Sequence, residues 1–460
     1  MKDFDSLYFV GAGGIGMAAL ERYFLAKGKR VAGYDRTPSD LTKALQQEGA
    51  HIDFDENPDL IPDYCRDPQR TLVVYTPAVP DSHQGLTYFR ANGFEVVKRA
   101  ALLGVVTAHS KALCFAGTHG KTTTSSMAAH ILQTSGVGCN AFLGGVLRNY
   151  DSNFLLSLTS PYSVIEADEF DRSFHHLSPY IAVVTSTDPD HLDIYGTAEN
   201  YLESFAHFTE LIQPGGALII HTGLALKPRV GEQVKTYTYS RDEGDFHAAN
   251  IRKGNGTIVF DLVTPWETIS DISLGVPVAI NIENAIAAMA ACRLVEIPGD
   301  AMRDAIGTFM GPKRRFEFWL KEPGDHGKVM IDDYAHHPGE LQASISSVRD
   351  LYPNRRLTVI FQPHLYTRTR DFAPGFAAAL SLADEVILLP IYPAREDPIP
   401  GVTSEIILEK VTSAKKIIYS KENLIKSIHL SNFDVLLTAG AGDIANLLPE
   451  IRDEFKKQEP

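Results

Sequence analysis

Short apolar runs recur along this chain, each closing on a glycine-rich or polar turn that leads into a segment with helical spacing. Leu7–Val10 is the first, followed by Gly11-Ala12-Gly13-Gly14-Ile15-Gly16 and an apolar-periodic helix; Val31–Tyr34 comes next and ends at Asp35. With Thr71–Tyr75 and Glu95–Val97 these runs predict a small Rossmann-like domain over residues 1–104. A second series opens with Ala112–Ala116 and the turn Gly117-Thr118-His119-Gly120. Lys121-Thr122 then starts a helix carrying Met127, Ile131 and Leu132 on one face, and Gly136 stops it. Tyr162–Ala167 and Ile181–Thr185 are further strands of this part. From Ala217 to Leu274 the pattern changes to short alternating strands, with Gly254-Asn255-Gly256 between Ala248–Arg252 and Thr257–Val263. That stretch reads as an antiparallel appendage. Asn281-Ile282-Glu283-Asn284 opens the alanine-rich helix Ala285–Val295, and Gly311-Pro312 breaks the chain before Lys313-Arg314-Arg315-Phe316. Beyond the break, Val329–Asp332, Leu357–Phe361, Val386–Pro390, Lys416–Tyr419 and Val435–Thr438 alternate with helices as a third doubly wound domain. The expected architecture is α/β in three domains, 1–104, 105–311 and 312–460.

Length agrees, since 460 residues exceed a single hydrophobic core. A hydrophobic share of 44% and a charged share of 22% place the chain among soluble globular proteins. Lys plus Arg number 43 against 57 Asp plus Glu, a net −14 with no basic tract, which argues against a nucleic-acid partner. Cys65, Cys114, Cys139 and Cys292 have no metal or redox spacing and suit buried thiols in a reducing compartment. Met1–Leu7 carries acids and enters a strand directly, unlike a signal peptide. The uncharged run Thr122–Leu147 is broken by four glycines, unlike a membrane helix. A cytoplasmic protein without a membrane partner is expected.

Two glycine turns carry candidate chemistry. Strand, glycine turn and Lys121-Thr122 at a helix start make a phosphate cradle. The turn and helix start aim N–H groups at an anion, the lysine adds charge, and the threonine hydroxyl can hold Mg²⁺. Phe115 stands where the strict phosphate-loop pattern begins with glycine. The first turn, Gly11–Gly16 with Asp35, has the spacing of a dinucleotide fingerprint. Alone it says only that a phosphate or close backbone packing sits there. Glu166, Asp168, Glu169 and Asp171 crowd the end of the strand after the cradle, where nucleotide-binding sheets hold Mg²⁺. His191, in Asp188-Pro189-Asp190-His191, follows another strand end on the ligand side of an open sheet. The Asn281/Asn284 pair either caps its helix or reaches adenine. Asp332–His337 and Phe361–Arg370 pack charged and aromatic groups into loops after strands, and read as a binding mouth.

GTHGKTTT, EADEFDRSF, TDPDHLDIYG, PKRRFE, DDYAHHP, FQPHLYTRTRDF and YPAREDPIPG stand in the order found in the Mur ligases, which the chain resembles over essentially its whole length. The DDYAHHP and FQPHLYTR segments resemble the branch that adds L-alanine to UDP-N-acetylmuramate. The resemblance implies a UDP-sugar-binding N-terminal domain, an ATP-binding central domain and an amino-acid-binding C-terminal domain. It implies small-molecule substrates only: UDP-N-acetylmuramate, L-alanine and ATP, with Mg²⁺. Gly117, Thr118, His119, Gly120, Lys121, Thr122 and Thr123 would bind ATP phosphates, Asn284 adenine, Arg315 the γ-phosphate and Asp333 the ribose. Thr122 and Glu166 would hold one metal and His191 hold or orient a second. Gly11, Gly13, Gly14, Gly16 and Asp35 would take the UDP portion and Asn153 the sugar, while His336 and Arg368 would face the alanine carboxylate. Lys121, His191, Arg315 and Arg368 would carry catalysis. The chain departs from the family at Leu365, where arginine is common, at Ile280, where histidine is usual, at Arg395, a common glycine, and over Gly144–Asn149.

Three other readings compete. A murein-peptide ligase of the same family would not need the FQPHLYTR clamp. An NAD-dependent oxidoreductase built on the first glycine turn would leave the second cradle, Glu166 and His191 without a role. A non-catalytic nucleotide switch would not need the third domain.

Overall fold

Three short apolar runs, Ser6–Val10, Arg30–Tyr34 and Thr71–Tyr75, are largely buried on both faces and set the middle of the first sheet, and a parallel arrangement follows because helices cover both sides. A computed structural model describes residues 4–76, 78–254, 256–324, 326–394, 396–428 and 433–457. The first sheet runs in the order His51–Asp53, Arg30–Tyr34, Ser6–Val10, Thr71–Tyr75, Glu95–Lys98, all parallel. The seven-stranded central sheet has the order Lys235–Tyr239, Ala217–His221, Ile181–Val184, Lys111–Ala116, Tyr162–Glu166, Asn140–Leu147, Ser152–Leu155. Only its last pair is antiparallel. Both sheets belong to one compact unit, made of residues up to 249 with 261–270 and 283–306. One hydrophobic cluster runs through it, from Leu7 and Met17 past Leu102 to Phe142, Phe154 and Ile165. The helix Ile15–Ala26 therefore packs on the strand Asn140–Leu147, with the Tyr23 and Phe142 rings 5.7 Å apart. The helix Arg99–Ala108 runs across residue 104 without a break.

The expected appendage is smaller than its sequence pattern suggests. Ala217–His221 and Lys235–Tyr239 extend the central sheet in parallel. Their reassignment has a plain cause: Ala217–Ile220 is continuously buried, as in a two-sided parallel sheet, not alternating as in a hairpin. Only His247–Gly254, Thr257–Val263 and Thr268–Ser273 form a separate three-stranded sheet. Asn255, which the sequence places between the first two of these strands, lies outside the described residues.

The second unit comprises 250–260, 271–282 and 307–460. Its sheet has the order Glu317–Lys321, Val329–Asp333, Val435–Ala439, Leu357–Phe361, Glu385–Leu388, Lys415–Ile418. The strand Glu317–Lys321, which the sequence pattern did not mark, joins as an antiparallel edge. Met330, Ile360, Ile387 and Leu436 anchor its core. Among the described residues no helix is long and apolar enough to cross a membrane.

Candidate active site

The cradle is built where the strand Lys111–Ala116 meets the helix Lys121–Thr134. Gly117 (φ +140°) and Gly120 (φ +82°) both adopt the left-handed region. At Gly117 a Cβ would fall 2.1 Å from Thr185 Oγ1, so the turn closes only with glycine there. Neighbouring strand ends brace it. Thr185 Oγ1 donates to the His119 carbonyl at 2.5 Å, and Ser186 Oγ accepts from the His119 N–H at 2.8 Å. Thr118 Oγ1 donates to the Asp188 carbonyl at 2.7 Å and lies 2.9 Å from the Tyr201 hydroxyl.

Charges in the cradle are already matched. Lys121 Nζ donates to the Gly117 carbonyl at 2.7 Å and sits 2.7 Å from Glu169 Oε2, an acid only 2% exposed. Thr122 Oγ1 donates to Glu166 Oε1 at 2.9 Å, and Glu166 Oε2 accepts from the Gly144 N–H at 2.9 Å. The Thr122 hydroxyl and Glu166 carboxylate are hard oxygen donors side by side, the type of pair Mg²⁺ takes together with phosphate oxygens and water. Among the described residues no three His, Cys, Asp or Glu side chains gather into a metal site by themselves. Asn284 approaches from the helix Ile280–Arg293, accepting from Thr124 Oγ1 at 3.1 Å through Oδ1, which also lies 2.8 Å from where a Gly120 Cβ would project. His191 starts the short helix Leu192–Tyr195 at φ 52°, its ring edge-on to Phe170 with centroids 5.1 Å apart. Asp171 and Arg172 are also left-handed, at φ 50° and 56°. Non-glycine residues hold such angles only where surrounding contacts impose them. Here Lys98 pairs with Asp171 at 2.9 Å, and Arg172 lies over the Tyr195 ring.

The first glycine turn faces the same side of this unit. Asp35 Oδ2 accepts from the Gly13 N–H at 2.6 Å. A cleft of about 350 Å³ runs from Gly14 and Gly16 to Gly144, Glu166 and Asp168, with Arg99 in its wall. Asn153 Nδ2 donates to the Ile15 carbonyl at 3.2 Å, tying the first turn to the central sheet. Gly14 and Gly16 of the first turn thus share one cleft with Gly144 and Glu166 beside the cradle.

The mouth in the second unit differs. Arg315 is exposed, between Arg314 (φ 59°) and Phe316 (φ 47°). Asp333 accepts from Ser344 Oγ, and its carboxyl is pushed up to about 6, chiefly by burial. His336 Nδ1 lies 3.3 Å from Glu340. Leu365 precedes the helix Tyr366–Leu380 at φ 71°. Arg368 donates to His364 Nδ1 at 3.4 Å and pairs with no carboxylate among the described residues. Burial, then the Arg368 charge, holds the His364 ring below the ordinary histidine range. Arg395 lies outside the described residues.

Sequence reading gave no roles to Arg99, Thr185 and Ser186, and placed Glu169 only among the acids near a metal, not as the partner of Lys121. For Thr185 and Ser186 a signal existed: they directly follow the strand Ile181–Val184, which pairs in parallel with the cradle strand.

Residues 6–111 match the model of the Mur ligase family catalytic domain, 115–292 the Mur ligase middle domain, and 314–442 the Mur ligase glutamate ligase domain. The UDP-N-acetylmuramate–L-alanine ligase of Parabacteroides distasonis is 60% identical over 98% of both chains. The ligase of the same name from Phocaeicola vulgatus is 59% identical over 97% of each. The crystal structure of the UDP-N-acetylmuramate–alanine ligase of Thermotoga maritima superposes with a TM-score of 0.77 at 25% identity, covering 98% of this chain and 99% of that one.

Proposed function

The chain belongs to the Mur ligase family, and on that premise we propose that it joins L-alanine to the lactyl carboxylate of UDP-N-acetylmuramate, converting ATP to ADP and phosphate. The observation that carries the reading is the cradle, where Lys121 and Thr122 start one helix and Thr122 donates to Glu166, which lines the cleft that begins at the first glycine turn. A carboxylate is a poor acylating agent until one oxygen carries a good leaving group. Its oxygen attacks the γ-phosphorus of ATP, the bond to ADP breaks, and an acyl phosphate forms. The alanine amine, having lost its ammonium proton, then attacks the acyl carbon, and phosphate departs as the amide forms.

Two anions must approach in the first step, so neutralisation is the main demand on the protein. Lys121 would leave Glu169 for the β/γ-phosphates, and Arg315 would add charge at the γ-phosphate. Thr122 and Glu166 would hold Mg²⁺, with His191 serving a second ion; when bound, the metal would neutralise the phosphate oxygens. Thr118 and Thr123 would complete the phosphate loop, Asn284 would meet adenine and Asp333 the ribose. His336 and Arg368 would hold the alanine carboxylate. The division into domains at 1–104, 105–311 and 312–460, and a cytoplasmic location, belong to the same proposal.

Phosphate release from ATP with UDP-N-acetylmuramate, measured with and without L-alanine, tests the reading. Release that depends on both is expected. Activity only with a peptide in place of alanine, or none with either, would refute it.

A further inference from the structure

A second cavity lies in the first unit, at the opposite end of the central sheet from the cradle. Its volume is about 330 Å³, within the range of small-molecule sites. It opens at Ile181, Ala217 and Lys235, the first residues of three neighbouring parallel strands, whereas the cradle follows the last residue of the strand Lys111–Ala116 beside them. Ile181 is four steps from Thr185 of the cradle, roughly 13 Å in an extended strand. The helix Ile280–Arg293 likewise carries Asn284 near its start and Arg293, in the cavity wall, at its end. The cavity is therefore separate from the cleft already described.

Its wall combines rings with cations. Trp266 stands in the turn Thr264–Glu267 and is 52% exposed, which leaves a large apolar area in water unless something covers it. Thr264 Oγ1 accepts from the N–H groups of Trp266 and Glu267 at 3.2 and 3.0 Å, so the turn itself is braced. Tyr237 meets the indole edge-on with centroids 5.9 Å apart, and Arg293 Cζ lies over it, 5.5 Å from the centroid. Arg293 Nε donates to Glu267 at 2.8 Å, while its Nη groups make no hydrogen bond among the described residues. Lys235 pairs with no acid among the described residues. The backbone N–H groups of Gly215, Gly216, Ala217 and Lys235 are all spent on carbonyl oxygens. An anion entering here is therefore met by side chains alone. A purely apolar ring would leave the two cations unused, and a bare anion would leave the rings uncovered.

We propose that this cavity is a second small-molecule site, taking a flat ring compound that bears a phosphate or carboxylate group. The ring lies on Trp266 and Tyr237, and the anion on Lys235 and Arg293. This proposal stands apart from the ligase reading.

The chain has two tryptophans, so Trp319→Phe leaves Trp266 as the sole indole reporter. Fluorescence titrations of the full-length variant use adenosine monophosphate for the phosphate form and nicotinate for the carboxylate form. Adenosine and inorganic phosphate serve as the ring alone and the anion alone. At least one ring anion should change Trp266 emission and bind about tenfold or more tightly than either part. Which of the two does so identifies the anionic group. Lys235→Ala should weaken that binding by roughly 10- to 100-fold, for a lost charge-assisted contact, with the melting temperature unchanged. No response to either ring anion at millimolar concentration would overturn the proposal. So would binding that Lys235→Ala leaves intact, which would place the ligand elsewhere on the chain. Calorimetry of wild type and Lys235→Ala with the same compounds makes the comparison independent of Trp319→Phe.

Discussion

The proposed phosphate cradle and the proposed amino-acid mouth are both built at strand ends, yet they hold their charge in opposite ways. In the cradle Lys121 rests on Glu169, and Thr122 donates to Glu166. In the mouth Arg368 has the His364 ring beside it and no carboxylate among the described residues. Burial does not separate them: Lys121 is 15% exposed and Arg368 is likewise half-buried, but a carboxylate stands beside the lysine and none beside the arginine among the described residues. A paired cation must exchange partners when a ligand binds; an unpaired one need only gain one.

The largest effect expected is at the cradle. Lys121→Ala should lower kcat by ~10²–10³, because it removes the one cation built into the phosphate turn. More than about a tenth of wild-type kcat in a folded variant would remove the lysine from the mechanism.

Next comes the mouth. Arg368→Ala should raise the KM for L-alanine by a factor of roughly 30–150, which is ~2–3 kcal/mol, with little change in the KM for ATP. Because no carboxylate depends on it, the melting temperature should hold. Equal rises in both KM values together with a fall in melting temperature would make it a structural arginine instead.

Smaller effects come from two groups that titrate in opposite senses. His130, buried on the cradle helix beside the Tyr150 hydroxyl at 2.8 Å, is held down to about 4 by desolvation. Its unfolded form takes up a proton below about 6.5, so its contribution to stability is lost as pH falls from there toward 4. Asp333 in the mouth is raised to about 6, so the folded state retains its proton and stability falls as pH rises from about 4 to 6. Urea melts across this window should lose the first slope in His130→Gln. In Asp333→Asn, stability relative to wild type should grow with rising pH. Parallel profiles for wild type and either variant would deny that group its shifted titration.

Much of the fold was legible because its strands are continuous apolar runs punctuated by glycine. The strands that escaped were compromised locally. Asn140–Leu147 contains Gly144 and Gly145, His51–Asp53 is three residues long, and Glu317–Lys321 has charged ends beside a break at Gly311-Pro312. The Ala217–Tyr239 region was assigned to the wrong sheet because strand partners are not written in a strand's own pattern.

The sequence by itself determined the two glycine turns, the Lys121-Thr122 helix start and the acids after Glu166, since each is a contiguous stretch whose chemistry is local. Only the tertiary structure decided which groups meet. Glu166 reaches Thr122 across 44 positions, Glu169 reaches Lys121 across 48, and Asn153 reaches Ile15 across 138. Such meetings depend on strand order and on how closely helices can pack. Arg99 comes to lie against Gly16 only once the first sheet has brought their two helices together.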